Sequence, residues 1–209
     1  MFTTSATDPD LPRRRSVLLD LLGFGISDNP QQFGYALADH AETAATALDA
    51  AGVRDADVVG HSLGGSVAAV LASQRPDLVR RLIVAEPNLD PWDGDTSVEI
   101  ARQTEAEFLA VGYHALVHEA EPDYAATLRF ADPLALYRSA VGLAEMPSPT
   151  VRELLVGLDI PRTLVLGERS AEPDDLGALR EAGIEVAVIR HAGHVMMLDD
   201  PRAFARALA

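Results

Sequence analysis

The sequence contains neither cysteine nor lysine, and its 17 basic residues are therefore all arginine. The absence of cysteine excludes disulfides, thiolate metal sites and a cysteine nucleophile. The absence of lysine excludes a Schiff-base lysine, a serine–lysine dyad and a phosphate-binding P-loop. The amino-acid composition alone thus excludes several classes of enzyme chemistry.

Basic residues are also few beside acidic ones, with 17 against 32 and a net charge of −15. This balance disfavours nucleic acids and anionic membranes as partners. No apolar run approaches the length of a membrane span. The 209 residues, 48% of them hydrophobic, suit one domain with a possible small insertion. We therefore expect a cytoplasmic protein whose partner is a small molecule.

Residues 60–65 read GHSLGG, preceded by the apolar pair Val58-Val59 and followed by the helical run Ser66–Gln74. A strand, a tight turn and a helix with a serine at the apex form the context of a nucleophile elbow. Gly60 and Gly64 are expected to let the two backbones pass closely. Ser62 is therefore a candidate nucleophile, and the N–H of Leu63 is a candidate oxyanion donor at the start of the helix.

Apolar runs and helical patterns alternate along the chain, except in a long helical stretch from Pro91 to Leu158. This order predicts the α/β class, with a mostly parallel sheet of about five strands flanked by helices and a helical cap insertion. We predict a core formed by residues 1–90 and 159–209, and a cap formed by residues 91–158. The predicted strands are Ser16–Leu19, Val58-Val59, Arg81–Ala85, Thr163–Leu166 and Glu185–Ile189.

Three motifs together carry a family likeness: DLLGFGISD at residues 20–28, GHSLGG at 60–65 and AGH at 192–194. With them the chain resembles the α/β-hydrolase superfamily. The resemblance implies that Ser62 is the nucleophile and His194 the general base. A loop that follows the last strand can bring His194 to an elbow serine at the same edge of the sheet.

The third member of the expected triad is an acid. Many members of the superfamily read G-x-x-D after the strand Thr163–Leu166, whereas this chain has serine, Ser170, in place of the aspartate. We favour Glu86, at the end of the strand after the nucleophile helix, which resembles the arrangement in a branch of the haloalkane dehalogenases. The alternative acids are Glu168, Asp174 and Asp175.

A serine nucleophile with a histidine base implies acyl transfer, namely hydrolysis of an ester, thioester or lactone. By resemblance, serine in place of aspartate argues against dehalogenase or epoxide hydrolase chemistry. We expect no cofactor. We also expect no metal, because the histidine pairs His114/His118 and His191/His194 lack a third ligand. Candidates for the lining of an acyl pocket are Trp92, Phe108, Tyr113 and Phe130.

The resemblance also implies that the first three strands of the family sheet are absent, since Ser16–Asp20 resembles the fourth. The loop after the third strand usually carries a His-Gly pair with the second oxyanion donor, and no His-Gly pair occurs in this sequence. We expect the family fold with an exposed or displaced first edge. The alternative to an active hydrolase is a catalytically impaired, hydrolase-like fragment that binds a ligand or partner.

Overall fold

A four-stranded parallel sheet lies at the centre of the computed structural model, which describes residues 2–9, 11 and 14–209 (for Asp123, the backbone only). Its spatial order equals the chain order, so each connection crosses over to the next strand. All four strands therefore end at the same edge, where their following loops meet. The strands are β1 (Ala56–His61), β2 (Val79–Ala85), β3 (Arg162–Gly167) and β4 (Glu185–Ile189).

Helices cover both faces of the sheet and fill the long connection between β2 and β3. In chain order they are α1 (Thr3–Ala6), α2 (Leu37–Ala50), α3 (Leu63–Gln74), α4 (Asp95–Ala101), α5 (Glu105–Glu107), α6 (Tyr113–Glu119), α7 (Pro122–Leu128), α8 (Pro133–Ala144), α9 (Val151–Gly157), α10 (Leu176–Glu181), α11 (Met196–Asp199) and α12 (Pro201–Leu208). A π-helical turn, Phe108–Gly112, joins α5 to α6.

Successive strand residues point to opposite faces, and each face has its own buried cluster. On one face, Leu82 and Leu164 pack with the apolar residues of α2, α3 and α10. On the other face, Ile83 and Val165 pack with Phe204 of α12. The central strands β2 and β3 are thus buried on both sides, as expected in a parallel sheet, whereas Val188 of β4 is 50% exposed. The predicted α/β class is confirmed.

The strand predicted at Ser16–Leu19 is wrong. Residues 14–20 lie on the surface without regular secondary structure, and the side chain of Leu18 is 54% exposed. Arg14 and Arg15 fasten this segment to Asp57 and to the carbonyl of Ala51. An apolar run becomes a strand only when a neighbouring strand takes its hydrogen bonds. In the described part of the chain, β1 has β2 alone beside it, so the sheet has four strands and an exposed first edge.

Helices occupy the stretch 91–158, as predicted, but one of them is interrupted. The sequence pattern predicts one helix over Thr96–Ala110, but the helix stops at Ala101 and restarts at Glu105. The restart is stabilised by Thr104, whose hydroxyl accepts the N–H of Glu107 while the Glu107 carboxylate accepts the N–H of Thr104.

Residues 1–12 are polar and contain prolines, a pattern that predicts poor order, but Thr3–Ala6 form the helical turn α1. Its neighbour Phe2 stacks on Phe204, with 5.9 Å between the ring centroids. Met1, Asp10 and Pro12 of the same predicted segment lie outside the described residues. Among the residues that the structure describes, no helix is both long and apolar enough to cross a membrane.

Candidate active site

Ser62 lies between the end of β1 and the start of α3, where the chain reverses direction sharply. Its backbone has φ 52° and ψ −126°, a conformation that non-glycine residues rarely adopt. The N–H of Ser62 donates to the carbonyl of Ala85 over 2.9 Å, which ties the turn to β2. This combination of strand, strained turn and helix is the geometry predicted for a nucleophile elbow.

The glycines around Ser62 do not contribute equally to the turn. A Cβ on Gly60 would lie 2.6 Å from the carbonyl carbon of Gly64, too close for any side chain. A Cβ on Gly65 would lie 3.1 Å from the Cβ of Pro87, whereas one on Gly64 would meet nothing within 4 Å. The close approach expected at Gly60 and Gly64 therefore falls on Gly60 and, more weakly, on Gly65.

Leu63 is the first residue of α3, so its N–H has no acceptor within the helix. Ser62 accepts hydrogen bonds from Gly65 and Ser66 through its own carbonyl, which completes the first turn. The amide of Leu63 is thus available to bind a negatively charged oxygen beside Ser62.

Glu86 directly follows β2 and contacts His194. Its Oε2 lies 2.7 Å from Nδ1 of His194, and its Oε1 accepts the N–H of Gly167 over 2.7 Å. Burial alone would raise the pKa of Glu86, but the hydrogen bonds from His194, Gly167 and the Ser170 side chain outweigh it and hold the pKa below its usual range. Glu86 is therefore an ionised carboxylate aimed at the imidazole.

The alternative acids are placed differently. The Glu168 carboxylate accepts the N–H of His191 over 2.7 Å and lies 3.3 Å from that ring's Nδ1. Asp174 offers its carbonyl to Arg152, and Asp175 stands at the start of α10. The structure thus brings Glu86 to His194, and it places Glu168 beside a different histidine.

We call residues 191–194, which follow β4, the histidine loop. Arg169 donates its N–H to the carbonyl of Ala192 over 2.9 Å, and Asp199 accepts the N–H of Gly193 over 2.7 Å. The loop crosses β3 so closely that a Cβ on Gly167 would lie 2.5 Å from the carbonyl oxygen of Gly193. The loop is therefore fixed against the strand ends, while the side chain of His194 stays 46% exposed.

His61, the last residue of β1, is a member of the site that sequence reasoning missed. Its side chain is buried, its Nε2 lies 2.7 Å from the main-chain oxygen of His194, and the two ring centroids are 4.6 Å apart. Burial and the neighbouring His194 lower its pKa to about 4. A histidine directly before the candidate nucleophile was the available signal, but the sequence does not reveal what that ring contacts.

The residues proposed to line an acyl pocket have unequal exposure. Phe108 is completely buried and packs against Ile100 and Ala140. Trp92 and Phe130 are 53% and 66% exposed. Within the described residues there is no group of three or more side chains that could hold a metal ion.

Comparison with known proteins identifies the family. A family model described as alpha/beta hydrolase fold matches residues 3–109, about half of the chain. Among solved structures, an esterase from Thermogutta terrifontis gives a TM-score of 0.75 at 23% identity, covering 90% of this chain and 76% of that one. A bromoperoxidase from Bacillus anthracis gives 0.73 at 17% identity, covering 90% and 78%. These two likenesses concern the fold alone, and the chain belongs to the alpha/beta hydrolase fold family.

Curated relatives match over shorter stretches. The 2-hydroxymuconate semialdehyde hydrolase of Pseudomonas putida is 44% identical over 71 residues, which cover 34% of this chain and 25% of that protein. Haloalkane dehalogenase 2 of Mycobacterium tuberculosis is 34% identical over 84 residues, covering 40% and 29%. The chain thus matches between a quarter and a third of the length of these two relatives.

Proposed function

We propose that this protein is a serine hydrolase that cleaves an ester, thioester or lactone through an acyl-enzyme. The observation that carries the proposal is the 2.7 Å contact between Glu86 and His194 at the strand ends beside the elbow serine. An ionised carboxylate on Nδ1 fixes the tautomer in which Nε2 is free to accept a proton. Family membership is consistent with this chemistry but does not specify the substrate.

In the proposed reaction, Ser62 Oγ attacks the substrate carbonyl while its proton passes to Nε2 of His194. The Leu63 N–H stabilises the oxygen that becomes negative, and Glu86 stabilises the imidazolium. The tetrahedral intermediate collapses, and the alcohol or thiol leaves with the proton from His194. Water then attacks the acyl-enzyme by the same route, which releases the acid and restores Ser62.

A serine nucleophile separates this proposal from alkyl-halide cleavage, although Glu86 occupies a strand end that resembles the acid position of some dehalogenases. A carboxylate nucleophile forms an alkyl ester, whereas a serine hydroxyl requires an acyl group to attack. The substrate class is therefore set by Ser62, and the position of the acid does not change it.

Labelling with a fluorophosphonate probe, together with turnover of short-chain nitrophenyl esters, tests the proposal. The wild-type protein should be labelled and should turn over the esters, and Ser62→Ala should do neither. Ser66→Ala is the matched control, since Ser66 lies in the first turn of α3, close to Ser62 in sequence, with its hydroxyl bonded to the Asn88 carbonyl. A folded wild-type protein with neither label nor turnover would support the alternative, a catalytically impaired binding module.

A second candidate substrate is 2-hydroxymuconate semialdehyde, favoured by the 44% identity over 71 residues to the hydrolase named for it. Its consumption can be followed by absorbance with the same two variants. Consumption that is faster than that of simple esters, and that is lost in Ser62→Ala, would assign this substrate class in place of esters.

A further inference from the structure

Two residues that follow β3 bond to the main chain of the histidine loop. The N–H of Arg169 bonds to the loop carbonyl of Ala192 over 2.9 Å, and the Glu168 carboxylate accepts the loop N–H of His191 over 2.7 Å. These bonds fix the loop relative to β3. They do not fix it relative to β1, the strand that leads into Ser62.

His61 provides the link to β1. Its Nε2 lies 2.7 Å from the carbonyl oxygen of His194. Among the hydrogen bonds of the described residues, this is the one that joins the histidine loop to the nucleophile strand. Because a carbonyl can only accept, Nε2 of His61 must carry the proton, which defines its neutral tautomer.

We propose that His61 is a positioning residue: by donating its Nε2–H to the main-chain carbonyl of His194, it holds the general base in register with Ser62. The inference rests on the proposed function for the role of His194 as base. His61 and Ser62 are adjacent in sequence, so the end of β1 positions both the nucleophile and, through His61, the general base.

The environment of His61 keeps this donor uncharged. Burial, followed by the charge of the nearby His194, lowers the pKa of His61 to about 4. The hydrogen bond to the His194 carbonyl and, after it, Glu86 act against this shift. When His194 carries the proton taken from Ser62, a second positive ring at a centroid distance of 4.6 Å would oppose that charge. A neutral donor at this position binds the loop without weakening the base.

Two substitutions separate the hydrogen bond from the space that the ring fills. His61→Phe keeps a flat ring but removes the donor, whereas His61→Gln keeps a neutral N–H donor. We expect His61→Phe to lower kcat by about 10- to 100-fold with little change in KM, since small misplacements of a reacting group have effects of this size. His61→Gln should recover most of the loss. Equal losses in both variants, or a loss confined to KM, would overturn the proposal.

A measurement that needs no turnover separates this inference from the proposed function. Nitrogen-15 NMR of labelled histidines should show His61 protonated at Nε2 above pH 5, and His61→Phe should shift the His194 ring signals while His61→Gln restores them. If the wild type is inactive but these shifts appear, the proposed function fails and the positioning role stands. Two results would overturn the positioning role. One is protonation of His61 at Nδ1 in the wild type, which can be observed even if both variants fail to fold. The other is His194 signals that are identical in all the folded proteins.

Discussion

The two sides of Ser62 differ in how densely they are bonded. On the side of β2 to β4, which we call the bonded side, Glu86 and the histidine loop are fixed by main-chain and side-chain hydrogen bonds. On the other side, which we call the open side, residues 14–20 are exposed, and Arg14 bonds to Asp57 of β1. A neighbouring strand supplies donors and acceptors at its end, and the open side has no such neighbour in the described chain.

This difference divides the proposed chemistry into two parts. Proton transfer depends on Glu86 and His194, which lie on the bonded side. Oxyanion stabilisation depends on Leu63, the amide at the start of α3. The described residues include no further strand beside β1 whose loop could supply a second donor on the open side. The loss of one oxyanion donor typically lowers the rate by about 10²- to 10³-fold. We therefore expect a well-positioned base combined with slow turnover.

Glu86→Gln gives the largest expected effect, because it removes the charge that the bonded side presents to His194. By analogy with an amide in place of the acid of a serine protease triad, kcat should fall by about 10³- to 10⁴-fold. Glu168→Gln is the matched control on the same side, since Glu168 contacts His191. Ester turnover measured for both variants checks the assignment. Unchanged turnover in Glu86→Gln would show that a different residue orients the base.

Acidification should weaken α2 and its contact with the loop at residues 20–28, through His40. This buried histidine of α2 packs against Phe24 of the glycine-rich loop that follows residues 14–20, and it bonds to Ser139 of α8. Burial lowers the pKa of His40 to about 4, and the nearby Asp39 has a smaller effect in the opposite direction. The folded state thus binds the proton more weakly than the unfolded state. The stabilising effect of the neutral His40 is complete above pH 6.5 and is lost as the pH falls from 6.5 to about 4.

The loss attributable to His40 should approach about 3 kcal/mol of unfolding free energy at pH 4. Denaturant unfolding of wild type and of His40→Gln, which does not titrate, measures it as the difference between the two pH profiles. Hydrogen exchange should show that α2 loses protection before β3 does. Parallel profiles between pH 7 and 4 would mean that His40 makes no contribution.

Alanine substitutions at Gly60 and Gly64 test how closely the backbones approach at the elbow, which lies between the two sides. Gly60→Ala places a Cβ 2.6 Å from the carbonyl carbon of Gly64 and should cost about 1–3 kcal/mol of unfolding free energy. Gly64→Ala meets nothing within 4 Å and should be neutral or slightly stabilising within the helix. Thermal unfolding of the two variants decides the point, and equal destabilisation would contradict the asymmetry.

How far the sequence could predict this structure depends on whether a feature is local. The four observed strands coincide with apolar runs in the sequence. Glu86 comes directly after one of these runs, so its position at a strand end could be predicted. The strand at Ser16–Leu19 failed because an equally apolar run still needs a neighbour, which is a non-local condition. The contact of His61 with His194 was out of reach for the same reason, since it joins a side chain to a distant main-chain carbonyl.

The smallest effect is expected on the open side itself. Leu18 is 54% exposed, so Leu18→Ser removes little buried surface and should change the unfolding free energy by less than about 0.5 kcal/mol. Leu82→Ala, at a fully buried position of β2, should cost about 2–5 kcal/mol and calibrates the measurement. A loss above about 1 kcal/mol in Leu18→Ser, well outside the range of surface substitutions, would mean that residues 14–20 are packed in solution. Residues 14–20 would then contribute to stability as the bonded side does, and the contrast between the open side and the bonded side would disappear.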